Sequence, residues 1–273
     1  MIQSRAMLAS LSISSWTARK QDKKVSAEVE ASHGAHDAGK YNKLLVNKAL
    51  LDPISKLAAK VRDYHYSVTL PWSDAGALLP STLFMDYTVK MRSFKAEFQK
   101  AVDAMVSQYP AEVQAARVRL GTMYNPGDYP QAYELKDRFS INLEFTPVPD
   151  AQDFRVDVSN EAQDELRASV KQSVADRQAD AVKATFARVR DVVSKIAERL
   201  SDEKSIFKDT LIWNARDLCL VLKALNITDD PALDAVHAEV YDHLLKHPDA
   251  IRRDPALRRA VADKAAEILR TLP

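Results

Sequence analysis

A chain of 273 residues with 46% apolar and 28% charged residues is long enough to bury one large core or two modest ones, which excludes a disordered or fibrous polymer. The formal charge is only +1, yet residues 1–100 hold 15 Lys and Arg against 9 Asp and Glu, so the basic excess belongs to the N-terminal third. The single cysteine, Cys219, rules out an intrachain disulfide framework, and within Leu218-Cys219-Leu220-Val221-Leu222 it reads as a small buried hydrophobe rather than a nucleophile.

Residues 1–16 carry one Arg and an apolar stretch broken by serines, too weak for a signal peptide. No apolar run approaches a membrane span. The expected setting is a reducing cytoplasm. Ala9, Leu11 and Ile13 alternate with serines, and Val25, Ala27, Val29 and Ala31 alternate with Ser26, Glu28 and Glu30, which predicts a hairpin across the basic loop Thr17 to Lys24. Amphipathic helices are expected over Asn42 to Tyr66 and Thr82 to Tyr109, separated by Leu70-Pro71-Trp72-Ser73-Asp74-Ala75-Gly76, with a further helix over Ala111 to Leu120 closed by Gly121.

A second hairpin is expected where Phe139, Ile141, Leu143 and Phe145 alternate with polar residues and the pattern resumes at Phe154, Val156 and Val158. From Asn160 to Ser201 the chain has no Gly or Pro, which predicts a helix of about forty residues and roughly 60 Å, with Asn160 as cap. Its second half holds apolar residues at alternating steps of four and three, at Val182, Phe186, Val189, Val193, Ile196 and Leu200, a seam for another helix or another copy of the chain. Its first half, Leu166 to Val182, advances in steps of four and is expected to lie on the sheet. Helices over Ile206 to Leu225, Pro231 to Lys246 and Pro255 to Leu272 complete the chain, the last two opened by Asp230 and Asp254 before proline.

The candidate chemistry is sparse. Gly34-Ala35-His36-Asp37-Ala38-Gly39-Lys40 has the glycine and lysine spacing of a phosphate-binding loop, but Tyr41 stands where Ser or Thr would hold magnesium, and no second magnesium ligand follows. His33, His36 and Asp37, and separately Glu239, His243 and His247, have spacings compatible with metal ligation, though neither set supplies a complete site, and no metal or other cofactor is expected. There is no nucleophile elbow or Cys/His pair, so the chain reads as non-catalytic. Trp16, Arg19, Lys20, Lys23, Lys24, Lys40, Tyr41 and Lys43 combine cations with aromatic rings, the mixture that grips single-stranded nucleic acid through phosphates and base faces.

Several phrases, namely Gly39-Lys40-Tyr41-Asn42-Lys43, Thr69-Leu70-Pro71-Trp72-Ser73-Asp74, Asp128-Tyr129-Pro130 and Leu225-Asn226-Ile227-Thr228-Asp229-Asp230-Pro231, resemble a family of tailed-phage and prophage proteins with no assigned activity. The resemblance spans about residues 8 to 245. It implies a phage origin and relatives encoded near AAA-type ATPases of the MoxR or cobalt-chelatase kind. It carries over no catalytic residue.

The expectation is a mainly helical α+β fold in which a small antiparallel sheet of two hairpins packs on helices. Residues 1–158 would form an α+β region with three helices, and residues 159–273 a helical region continuous with its core. Three functions stay open: self-association or partner binding in phage DNA metabolism, single-strand nucleic-acid binding or annealing, and adaptation to an AAA-type ATPase. No membrane partner is expected.

Overall fold

A computed structural model describes residues 2–74, 76–150 and 159–273. In chain order the elements are β1 (Ala6–Ser14), β2 (Arg19–Gln21), α1 (Lys23–His33), β3 (Asn42–Leu44), α2 (Lys48–Val68), β4 (Leu70–Ser73), β5 (Gly76–Pro80), α3 (Phe84–Leu120), α4 (Ala132–Leu135), β6 (Ser140–Pro147), α5 (Asn160–Ser201), α6 (Thr210–Leu225), α7 (Pro231–His243), α8 (Pro248–Arg253) and α9 (Pro255–Thr271). One antiparallel sheet has the order β4-β5-β1-β6, and β2 and β3 form a second sheet. The fold is the expected α+β class, mainly helical, with a small sheet and one very long helix. Among the described residues no helix is long and apolar enough to cross a membrane.

The chain groups into two compact units that interleave along the sequence rather than meeting at residues 158/159. Unit 1 comprises Met1–Ser10, His65–Tyr87 and Glu144–Pro273, and unit 2 comprises Leu11–Tyr64 and Thr88–Leu143.

In unit 1, β5 lies between β4 and β1, pairing Ala6 with Pro80 and Leu8 with Leu78. The β4–β5 hairpin falls where the sequence indicated only a break. Leu70 and Trp72 point to one side and are buried, but β5 is buried continuously from Ala77 to Pro80, so it shows no alternation to read. A Cβ at Gly76 would stand 3.3 Å from the Ala9 backbone, closer than ordinary contact, so a side chain there would push on β1.

Helix α5 has the expected span, but its cap lies one residue earlier than expected: the Ser159 hydroxyl, not Asn160, accepts from the Ala162 amide. Val174 and Ala181 pack on Ile2, Leu8, Leu70, Trp72 and Leu78 of the sheet side. Further along, Phe186, Val189, Val193, Ile196 and Leu200 are buried against residues of α6, α7, α8 and α9, with Val182 partly buried beside them. The seam is therefore filled by the chain's own helices. Val189, Val193 and Ile196 are fully covered, which leaves no apolar stripe there for a second copy.

Helix α6 starts at Thr210 rather than Ile206, whose side chain is 93% exposed and contributes nothing to hold a first turn. Lys246, expected inside α7, instead follows it, and His247 caps the separate helix α8 before Pro248.

Unit 2 departs more from the expected pattern. The first hairpin does not form, because Val25, Ala27, Val29 and Ala31 lie on α1. The Asp22 carboxylate caps that helix by accepting from the Val25 amide at 3.2 Å, Val25 and Val29 share a face four residues apart, and Gly34 ends it at φ +62°. Nothing on α1 is buried, so its period was not set by a core. The return strand of the second hairpin, Phe154 to Val158, lies outside the described residues.

Asn42 to Leu44 forms β3 rather than opening a helix, and Asn47 caps α2 through the Ala49 amide at 3.0 Å. Helix α3 runs 37 residues straight through Pro110. A proline inside a helix costs about 3 kcal/mol. Here the apolar face continues on both sides of it, with Met105, Tyr109, Ala116 and Leu120 all buried, and that burial outweighs the lost backbone bond.

Candidate functional site

The residues singled out as cationic or aromatic in the N-terminal region all belong to unit 2, but the structure separates them into two roles. Lys43 is buried. Its ammonium donates to the carboxylates of Asp128 (2.9 Å) and Asp22 (3.2 Å) and to the Met123 carbonyl (2.6 Å), which uses all three of its protons. Burial alone would lower its pKa, but Asp128 and Asp22 outweigh this and hold it above the ordinary lysine value. Lys43 is thus a structural cation and is withdrawn from the expected nucleic-acid contacts.

This triad also explains two phrases of the sequence that lie far apart. The phrase ending in Lys43 meets Asp128-Tyr129-Pro130, where the Tyr129 hydroxyl donates to the Leu45 carbonyl (3.0 Å) and the Tyr109 hydroxyl to the Pro130 carbonyl (3.0 Å). Burial pushes the Tyr109 hydroxyl up to about 12, which keeps it a donor.

Against this wall lies a groove of about 760 Å³. Its floor and sides include Trp16, Thr17, Arg19, Lys20, Leu45, residues 126–131, Glu134 and Arg138. Strand β2 supplies Arg19 and Lys20, held in register opposite Leu44 and Lys43 of β3. Arg138 arrives from the short turn after α4 and was not indicated by the sequence. Arg19, Lys20 and Arg138 are exposed, and among the described residues none has a carboxylate within ion-pair distance. Trp16 is half-buried and meets Tyr109 edge to face, with ring centres 5.9 Å apart.

Between Trp16 and Arg19 the chain turns through Ala18, buried with φ +50° and its carbonyl accepting from the Leu45 amide at 2.8 Å. A left-handed alanine costs roughly 1–2 kcal/mol, so the placement of these two side chains is built at the expense of stability.

The acidic groups on the groove are committed elsewhere. Asp128 binds Lys43, and Glu134 accepts from the Gln131 amide at 3.2 Å in a capping box. Lys23 and Lys24 are exposed in the first turn of α1, Lys24 near Glu28 at 4.0 Å, and Lys40 and Tyr41 are exposed before β3. These four do not line the groove.

The Gly34 to Lys40 loop follows a helix and precedes a strand, the reverse of a phosphate-binding loop, and its Ala38 amide is occupied by the Glu30 carboxylate at 3.1 Å. Elsewhere, the Glu239 carboxylate binds Lys264 at 2.7 Å, and the His247 ring accepts from the Asp249 amide as a helix cap. Among the described residues no group of three or more potential ligands converges on a metal position. Burial pushes the Cys219 thiol up to about 11, so it stays protonated.

Two phrases of the family resemblance are structural in unit 1. The buried Asn226 amide donates to the Asp230 carbonyl and the Asp234 carboxylate, and Asp230 caps α7 at Ala232. Thr69 donates to the His65 carbonyl at the end of α2. Comparison of the chain with protein families, with curated proteins and with solved structures found no match in any of the three.

Proposed function

We propose that this protein, of the phage origin that the family resemblance implies, binds single-stranded nucleic acid through unit 2 and performs no reaction on it. One observation carries the reading: charge is segregated between the units, and the basic one holds a groove with cations and an aromatic ring left unspent. Unit 2 has 18 Lys and Arg against 12 Asp and Glu, whereas unit 1 has 21 against 26. A net positive body draws polyanions from a distance, and a half-exposed tryptophan beside cations suits unstacked bases. Self-association through the α5 seam loses its support, because that seam is occupied within the chain.

The test is a salt titration with a labelled single-stranded oligonucleotide. Binding should weaken linearly in log–log form as salt rises, and reversing charge at Arg19, Lys20, Lys23 and Lys24 should weaken it further. Absence of binding at low salt overturns the proposal.

A further inference from the structure

We infer that the groove beside Trp16 is a nucleotide subsite, in which one unpaired base lies on the Trp16 indole and the flanking phosphates sit on Arg19, Lys20 and Arg138. This rests on the reading of unit 2 as a single-strand binder. It adds a place, an orientation and a residue, Arg138, that lies some 120 positions from Trp16 in the chain.

The groove's unspent groups define its ligand. Its carboxylates and the Tyr129 hydroxyl already have partners: Tyr129 the Leu45 carbonyl, Asp128 the Lys43 ammonium, and Glu134 the Gln131 amide. What remains is three exposed cations around one half-exposed indole. The complement of that set is a planar ring carrying anions on a short tether. A nucleotide has this form, whereas an acidic peptide offers charge without a ring. The volume of about 760 Å³ falls inside the roughly 300–1,000 Å³ range of small-molecule sites, room for a nucleotide or two rather than a duplex. A paired base keeps both faces stacked in its helix, so only an unpaired one can reach the indole.

The cations outside the groove fit the same account as a track. Lys23, Lys24 and Lys40 are exposed on the same unit and would hold the strand's backbone without reading a base.

The experiment is fluorescence anisotropy with a labelled oligothymidylate of about twelve nucleotides, within the usual span of single-strand sites. Three proteins are compared across salt: wild type, Trp16→Leu and Arg138→Gln. Trp16→Leu should weaken binding about tenfold at fixed salt and leave the salt slope unchanged, because stacking releases no counterion. Arg138→Gln should lower the slope by about 0.7, the contribution of one phosphate on a single strand.

Wild-type binding that is weakened by charge reversal at Lys23, Lys24 and Lys40 but unaltered by both groove substitutions overturns the subsite and leaves the proposed function standing. No wild-type binding at low salt overturns both. Should Trp16→Leu fail to fold, an oligonucleotide containing 5-iododeoxyuridine is photo-cross-linked to the wild-type chain. The subsite requires the adduct on the tryptic peptide of residues 6–19, and an adduct only elsewhere rejects it.

Discussion

The two units differ in where their most prominent arginines and lysines are spent. Unit 1 is acidic overall, yet its best-placed guanidiniums are turned inward onto backbone carbonyls. Arg188 donates to Ser67 and Thr69, and Arg258 to Arg199, Leu200, Asp202 and Ser205. Unit 2 is basic overall, yet it buries a single lysine, Lys43, and leaves Arg19, Lys20 and Arg138 at the rim of a groove. Arg188 and Arg258 hold helix ends together in unit 1; in unit 2 Lys43 and Arg119 are likewise committed, Arg119 to the Leu44 and Leu45 carbonyls, while Arg19, Lys20 and Arg138 have no ion pair among the described residues. Net charge alone would not have revealed this, since unit 1 contains more basic residues in total.

The strongest way to break the comparison is to remove a structural cation from each unit. Arg258 is buried, its guanidinium lies over the Phe207 ring, and it satisfies four carbonyls at and after the end of α5. Arg258→Met should strip the guanidinium from those carbonyls, of which Asp202 keeps the Ser205 amide, and cost about 4 kcal/mol, read as a lowered urea midpoint at constant slope. Lys43→Met in unit 2 leaves two carboxylates facing each other with no cation, and should cost about 3 kcal/mol by the same measurement. If Lys43→Met instead left stability unchanged, the triad would not be structural, and Lys43 would return to the set available for a ligand.

A third effect distinguishes the units through pH. His65 and Tyr87 of unit 1 are both buried, with the His65 Nδ1 2.7 Å from the Tyr87 hydroxyl. Burial lowers the His65 pKa from its ordinary 6.5 to about 4. The unfolded chain therefore binds a proton that the folded chain refuses between those values. Stability is full above pH 6.5, falls as pH drops toward 4, and the loss approaches about 3 kcal/mol once both states are protonated. His65→Gln should flatten that slope in denaturation curves taken from pH 7 to 4. An unchanged slope would mean that other groups carry it.

These contrasts also explain what the sequence made legible. The α5 seam was readable because its apolar residues repeat along one continuous core, from Phe186 to Leu200. Helix α1 was not, because no residue on it is buried and Lys23 and Lys24 stand in the first turn, where acidic residues usually mark a helix start. Pro110 suggested a break that the buried face around Tyr109 and Ala116 overrides. For the site, Trp16, Arg19 and Lys20 were visible as a local cluster. Arg138 was not, since only the fold carries the turn after α4 to the same groove. Lys43 looked like its neighbour Lys40 because the partners that bury it, Asp128 and Met123, are some 80 residues away. Nothing in sequence separated Arg258 from the adjacent Arg259, which is exposed.

The smallest expected effect on stability is the most telling for the comparison. Arg138→Gln removes a cation that is exposed and has no ion pair among the described residues. Surface changes of this kind fall within about 0.5 kcal/mol. The urea midpoint should therefore match wild type, in the same preparation whose oligonucleotide salt slope is altered. Arg258→Met makes the reciprocal case, costing stability while leaving the slope of any folded fraction intact. A substantial loss of stability in Arg138→Gln would mean that unit 2, like unit 1, has already used its rim arginine to hold itself together, and the division between structural and available cations would fall.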